Sequence, residues 1–352
     1  MFSVKYQVIG LMSGTSLDGL DIAFCEFRET EKKWTYQIHC AETIRYTDHW
    51  KKTLSNLESG TALDFVTADV AYGHLLGTFT RDFILRNKLN PDFIASHGHT
   101  IFHQPDKRIT SQIGRGAAIA AETGLRVICD FRSLDVALGG QGAPLVPIGD
   151  ALLFNQYDFC LNIGGFVNIS YQTETNRIAY DICPANIVMN LIASLSGYDF
   201  DPDGSLAAAG TVNSKLLDDL NLLPYYQLEA PKSLGKEWVV QHFFPMLNST
   251  DLPSNDLLAT VCEHIALQVA AATGLKREAK LLITGGGAFN KFLISRIRYH
   301  AVPEIIIPDD YTINFKEALI FAFLGVLRWR NELNCLQSVT GAANDSSGGA
   351  IY

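Results

Sequence analysis

Three glycine-containing segments and one aspartate hold the side chains and backbone best suited to chemistry. The first is Ser13-Gly14-Thr15-Ser16-Leu17-Asp18-Gly19-Leu20-Asp21. It lies between two apolar runs, Tyr6 to Leu11 and Ile22 to Phe27, which predict the strands of a hairpin. Small residues there let backbone N–H groups come close to phosphate oxygens. Ser13, Thr15 and Ser16 add hydroxyl donors. Asp18 and Asp21 suit a magnesium ion, which keeps much of its own water. The second segment, Leu161 to Asn168, places Gly164-Gly165 after a strand. The third, Leu282 to Asn290, runs strand, Gly285-Gly286-Gly287, then helix, a platform for adenosine or phosphate. No Walker A loop occurs, and the third segment breaks the G-x-G-x-x-G pattern at Asn290. A plain hairpin turn accounts for either of the first two alone. All three together favour a nucleotide site assembled from separate turns.

Asp181 follows a short predicted strand, Arg177 to Tyr180, and precedes Pro184 and an apolar helical face of Ile187, Val188, Leu191, Ile192 and Leu195. A carboxylate at a strand end suits a general base; an N-cap aspartate is the plainer alternative. His97-Gly98-His99 with His103 suits hydrogen bonding to a polar substrate, or the metal of a hydrolase.

The elements that position these residues follow from apolar periodicity. Ala62 to Arg86 predicts a helix with Leu63, Val66, Val70, Leu75, Leu76 and Phe79 inward. Phe93 to Ala95, Arg126 to Cys129, Phe159 to Ile163, Asn168 to Tyr171 and Leu281 to Thr284 predict strands. Gly116 to Thr123, a segment from Asn290, and Phe315 to Glu332 predict helices. Gly139-Gly140-Gln141-Gly142-Ala143-Pro144 interrupts the pattern and marks a boundary. Strands followed by helices, twice over, predict an α/β protein of two lobes with an interlobe cleft, divided as 1–135 and 136–352, with the C-terminal helix able to pack back on the first lobe.

Composition narrows the partners. The 352 residues are 47% hydrophobic and 18% charged, and the formal net charge is -9. No basic cluster stands ready to neutralise a phosphate backbone, so nucleic acid is not expected. Seven dispersed cysteines predict free thiols in a reducing compartment. No apolar run is long enough to span a bilayer, and no signal peptide is visible, so a cytoplasmic protein is expected.

Taken together, Gly10-Leu11-Met12 continuing through Asp21 resembles the opening signature of the 1,6-anhydro-N-acetylmuramic acid kinases. Ser96 to Thr100, His103-Gln104-Pro105, Asp130-Phe131-Arg132, Asp135-Val136-Ala137, Gly139 to Pro147, Asn162 to Gly165, Pro231-Lys232-Ser233, Thr284 to Asn290 and Glu317-Ala318 are similar to later blocks of that family. The resemblance runs from about residue 8 to the end. It implies an actin-like, ribonuclease H-like ATPase fold that uses ATP and Mg2+ to open an anhydro amino sugar and phosphorylate it. It implies Asp181 as the catalytic base and Gly14 to Asp21 as the ATP loop, with Asp18 and Asp21 on the metal. Gly164, Gly165, Gly285, Gly286, Gly287 and Asn290 complete the nucleotide set. His97, His99, Arg132, Gln141 and Asn186 form the candidate sugar set, Arg132 facing the lactyl carboxylate. A homodimer is implied as well. The family usually has Asp-Thr-Gly-Pro-Gly-Asn where this chain has Asp181-Ile182-Cys183-Pro184-Ala185-Asn186. A non-catalytic sugar or nucleotide sensor and a metal hydrolase built on His97, His99 and His103 are the alternatives.

Overall fold

The computed structural model describes residues 4–14 and 17–352. The chain forms two compact units, residues 1–153 with 315–352, and residues 154–314. The division expected at 135/136 therefore falls later, and the Gly139 to Pro144 stretch lies inside the first unit. The physical reason is a buried carboxylate. Asp135 accepts from Gly142 N–H at 2.7 Å, Thr340 Oγ1 at 2.7 Å and Cys335 Sγ at 3.0 Å, tying that loop to the C-terminal segment.

The first unit is built on β1 (Val4–Met12), β2 (Gly19–Thr30), β3 (Lys33–Arg45), β4 (Phe93–Ser96), β5 (His99–Gln104), β6 (Ile109–Ile113) and β7 (Val127–Cys129). β1, β2 and β3 form an antiparallel meander, and β4 and β7 continue the sheet in parallel beyond β1. The terminal strand Ala350–Ile351 closes the β7 edge antiparallel. β5 and β6 pair separately. Helices α1 (Ala62–Asn87) and α2 (Gly116–Thr123) pack beside the sheet. Ile9, Leu11, Leu20, Ile22, Tyr46, Tyr72, Leu76 and Phe83 share its core.

The buried face of α1 differs from the hydrophobic stripe read from the sequence. Leu63 and Val66 are exposed, whereas Ala68, Tyr72, Gly73, Leu76, Gly77, Thr80 and Phe83 are buried. The cause is close helix–helix approach. A Cβ on Gly73 would stand 2.8 Å from the Arg115 carbonyl, and one on Gly77 2.6 Å from Glu122 Cβ. Glycines and a tyrosine form that face, which a scale of hydrophobicity does not reward.

The second unit repeats the plan. β8 (Phe159–Ile163), β9 (Phe166–Gln172) and β10 (Arg177–Pro184) form a meander, and β11 (Lys280–Thr284) and β12 (Glu304–Ile306) continue it in parallel beyond β8. Helices α3 (Asn186–Ser194), α4 (Ser254–Thr273) and α5 (Lys291–His300) supply its helical layers, and α4 is buried along most of its length. Three antiparallel strands followed by two parallel ones, twice, is the strand plan of the actin-like, ribonuclease H-like ATPase folds. The repeat lies in topology and is not visible in residue identity.

The C-terminal helix, Asp310–Trp329, lies directly on the first sheet. A Cβ on Gly10 would sit 2.0 Å from the Ala318 carbonyl oxygen, and one on Gly325 2.6 Å from Ala95 Cβ. Gly10→Ala must push backbone from backbone. We expect it to cost about 1–3 kcal/mol, read as a melting temperature lower by about 2–10 °C. An unchanged melting temperature contradicts this packing.

Candidate functional site

In the first unit the predicted hairpin loop joins β1 to β2. Thr15 and Ser16 lie outside the described residues. Leu17 adopts φ 60 and donates its N–H to Gly14 O, while Asp18 is exposed. Gly19, Leu20 and Asp21 already belong to β2, and the Leu20 side chain is in the core. Only backbone is left at Leu20 to meet a ligand. Asp21 accepts from Thr43 Oγ1 at 2.5 Å. Burial, reinforced by the charge of Asp18, raises its pKa against that hydrogen bond. Two carboxylates in mutual repulsion form a donor set that a hard divalent cation relieves.

Ser13 does something other than reach for phosphate. It is buried, and its Oγ accepts from Tyr46 Oη at 2.8 Å. Tyr46 has then spent its proton, so Tyr72 Oη, 2.6 Å away, donates to Tyr46. His99 Nδ1 lies 2.9 Å from Ser13 Oγ, and burial pushes the His99 pKa down to about 4. The ring is neutral and shares a hydrogen bond with the Ser13 hydroxyl through Nδ1. This chain of hydroxyls anchors the base of the loop. Neither tyrosine was singled out from the sequence, because both reach Ser13 over long stretches of chain.

His97 Nδ1 donates to its neighbour's carbonyl, Gly98 O, at 2.9 Å. Its Nε2 accepts from Arg132 Nε and Nη2 at 3.0 and 2.9 Å. Burial and the Arg132 charge hold the ring far below the usual histidine range. With one nitrogen donating and the other accepting, His97 has no lone pair for a metal. His103 pairs with Thr110 Oγ1 at 3.1 Å. Among the described residues no group of three or more His, Cys, Asp or Glu side chains is gathered as a metal site. The histidines thus bond separately to protein groups. Arg132 also donates Nη1 to Gly142 O at 2.6 Å, and burial lowers its pKa to about 10. Three contacts leave two of the five guanidinium N–H donors for a ligand. Gln141 is exposed and is fixed by its backbone, N–H to Thr340 O at 2.8 Å. Glu317, whose carboxyl burial raises, feels both Arg132 and Asp21. The sequence offered it only as part of a matched block.

In the second unit the two remaining glycine turns meet. Gly164-Gly165 is the whole connection between β8 and β9. Gly164 O accepts from Asn186 N–H, and Gly165 O from Ala185 and Ile187 N–H, so the turn seats the start of α3. β11 lies parallel beside β8, with Thr284 opposite Asn162. A Cβ on Gly285, which has φ 81, would lie 2.7 Å from Asn162 Oδ1; one on Gly287 would lie 2.1 Å from Ile163 Cγ2. Only glycine permits two turns to sit this close at the carboxyl ends of adjacent parallel strands, where α/β sheets bind ligands. Asn290 caps α5, accepting from Leu293 N–H at 2.9 Å. Asn186 reaches Ile163 O through Nδ2 at 3.4 Å.

Asp181 neither follows a strand nor caps a helix. It lies inside β10 opposite Asn168, where the register slips before Cys183, and α3 begins after Ala185. Such a bulge re-aims a side chain. Its backbone is held on both sides, N–H to Lys232 O at 3.1 Å and C=O from Tyr225 Oη at 2.5 Å. Lys232 Nζ donates to Tyr225 O at 3.1 Å and lies 4.7 Å over the Tyr225 ring. One carboxylate oxygen, Oδ2, accepts from Leu234 N–H at 2.9 Å. Burial raises the Asp181 pKa and outweighs that donor. Ile182, Cys183 and Ala185, the departures from the family pattern, are buried in the core of this unit. They change packing behind the carboxylate and leave its donor, a backbone N–H, in place.

A carboxyl pKa raised by folding means the folded state holds its proton to higher pH than the unfolded chain does. Stability therefore falls as pH rises from the ordinary carboxylate range through the raised value. Asp181→Asn, which still accepts from Leu234, should melt at a higher temperature than the wild type at neutral pH. That advantage should vanish below the ordinary carboxylate range. Equal melting temperatures at neutral pH would mean that the carboxylate carries no burial penalty.

The family model described as anhydro-N-acetylmuramic acid kinase matches residues 6–352. The chain is similar to the anhydro-N-acetylmuramic acid kinase of Sulfurovum sp. (strain NBC37-1), 34% identical over 366 residues that cover 99% of each chain. It is also similar to the protein of that name from Saccharophagus degradans, 35% identical over 370 residues and 98% of each chain. A third, from Photobacterium profundum, is 33% identical over 98% of each chain. With the model spanning nearly every residue and these relatives aligned end to end, the chain belongs to the anhydro-N-acetylmuramic acid kinase family.

Proposed function

We propose that the protein is an ATP-dependent phosphotransferase that opens 1,6-anhydro-N-acetylmuramic acid with water and phosphorylates the freed O6. The supporting observation is family membership across residues 6–352, joined to a half-buried, bulge-mounted carboxyl at the position the resemblance assigns to the base.

Asp181 takes one proton from a water molecule as the water oxygen bonds to the anomeric carbon. The bond from that carbon to O6 breaks, and O6 bonds to the γ-phosphorus as the bond to ADP breaks. The products are N-acetylmuramic acid 6-phosphate and ADP, with the proton left on Asp181. A raised pKa suits a carboxylate that must hold that proton and then release it near neutral pH. The Leu234 N–H fixes the carboxylate's orientation, and Oδ1 accepts no hydrogen bond among the described residues. On the first unit the backbone of Gly14 and Leu17 to Asp21 is the ATP loop that the resemblance implies; on the second unit the turns at Gly164-Gly165 and Gly285 to Gly287 are the segments that take phosphate or adenosine, and Asn290 and Asn186 hold those turns in shape. Asp18 and Asp21 would hold Mg2+, which when bound would supply positive charge against the phosphates. His97, His99, Arg132 and Gln141 serve the sugar, Arg132 through its two remaining N–H groups toward the lactyl carboxylate. No described helix is long and apolar enough to cross a membrane, and a cytoplasmic homodimer is the setting that the family implies.

The test is ADP release with magnesium-ATP and 1,6-anhydro-N-acetylmuramic acid. We expect sugar-dependent turnover, lowered by about 10²- to 10⁴-fold in Asp181→Asn. Sugar binding with no ADP release would make the protein a sensor, and full activity in the variant would remove Asp181 as the base.

A further inference from the structure

β10 is the outer strand of its sheet, with β9 on one side. The open side of such a strand carries N–H and C=O groups that another part of the chain must pair. At Asp181 a single stretch, Tyr225 to Leu234, does this. Lys232 O takes the Asp181 N–H at 3.1 Å, and Tyr225 Oη donates to the Asp181 carbonyl at 2.5 Å. Leu234 N–H reaches the carboxylate of the same residue at 2.9 Å.

The stretch is also tied to itself. Lys232 Nζ donates to Tyr225 O at 3.1 Å. It lies 4.7 Å over the Tyr225 ring and 5.7 Å over that of Tyr180, the residue before Asp181. Burial, with the Asp181 charge added to it, raises the Tyr225 pKa, so its O–H stays a donor. Tyr226 has a different partner. Its Oη meets Nε2 of His264 at 2.8 Å, and Nδ1 of that fully buried ring meets Asn221 Oδ1 at 2.7 Å. Both tyrosine rings pack on Trp238. The two neighbours thus share one packing environment and divide their hydroxyls, one to the Asp181 backbone and one to helix α4.

We infer that Tyr225 is a positioning residue for the reaction: its hydroxyl, backed by Lys232, fixes the bulge from which Asp181 meets the attacking water, whereas the Tyr226 hydroxyl serves the fold. The inference rests on the proposed function. The slip in register leaves Ile182 without a partner on β9, so β9 alone does not fix the peptide between Asp181 and Ile182. The carbonyl that Tyr225 holds belongs to that peptide. Tilting it swings the carboxyl, and a reacting group misplaced by about 1 Å loses roughly 100-fold in rate.

The test compares Tyr225→Phe with Tyr226→Phe, each of which removes one hydroxyl and keeps the ring. Turnover is followed as ADP release with magnesium-ATP and 1,6-anhydro-N-acetylmuramic acid, well below the melting temperature. Each variant loses a buried hydrogen bond, so both should melt lower by about 2–4 °C. Only Tyr225→Phe should lose kcat, by about tenfold or more, with the KM for each substrate unchanged. Lys232→Met keeps the backbone acceptor and removes the tie to Tyr225. It should show the same fall in kcat, and on a partly exposed side chain it reads the role even where Tyr225→Phe fails to fold. Wild-type kcat in Tyr225→Phe or in Lys232→Met, or an equal fall in both tyrosine variants, would overturn the inference and leave the kinase reading intact. No sugar-dependent ADP release from the wild-type protein would overturn both.

Discussion

A carboxyl group that folding makes harder to ionise is the constraint on which the rest depends. Asp181 has to stay deep enough for burial to outweigh the Leu234 N–H, yet keep an oxygen turned away from protein donors. A regular strand cannot supply both, because its side chains alternate strictly between faces. The slip in register between Asp181 and Cys183 breaks that alternation. Ile182 and Cys183 are both buried, and Asp181 is left with partial access. Tyr225 and Lys232 then hold the bulge by its backbone, and among the described residues the carboxyl itself accepts only from the Leu234 N–H.

The same economy governs the backbone around it. Each unit places its reactive segments where a meander hands over to parallel strands: the β1–β2 loop and His97-Gly98 in one, Gly164-Gly165 and Gly285 to Gly287 in the other. In the second unit two turns touch, and side chains there would collide with Ile163 and Asn162. In the first unit the corresponding segments carry side chains, and they are locked by hydrogen bonds instead. Tyr72, Tyr46, Ser13 and His99 form one chain, and Gly142, Arg132 and His97 another. Both keep their histidines neutral, since burial opposes a charged ring in each.

Much of this was legible in the sequence where local signals suffice. Apolar runs bounded by glycine located β1, β8 and β11 and the turns after them, because strand and turn are each encoded within a few residues. Asp181 was legible as a residue, through its match to a family block, but not as a bulge. Its register depends on Asn168 across the meander and on Leu234 more than fifty residues away. The boundary between units was misplaced for a similar reason. Gly139 to Pro144 has the composition of a linker, yet neighbouring Asp135 ties it to Cys335 and Thr340, two hundred residues along the chain. Ser13 looked like a phosphate donor because its partners Tyr46 and Tyr72 carry no motif. Ile182, Cys183 and Ala185, where the chain departs from the family pattern, have their side chains in the core.

The most direct measurement of the central claim is the pH dependence of kcat/KM for the anhydro sugar at saturating magnesium-ATP. If Asp181 accepts the water's proton from its buried position, activity falls on the acid side with a midpoint above the ordinary aspartate value of about 3.9, in the direction burial dictates. An acid limb at or below that ordinary value, or none at all, would contradict the account.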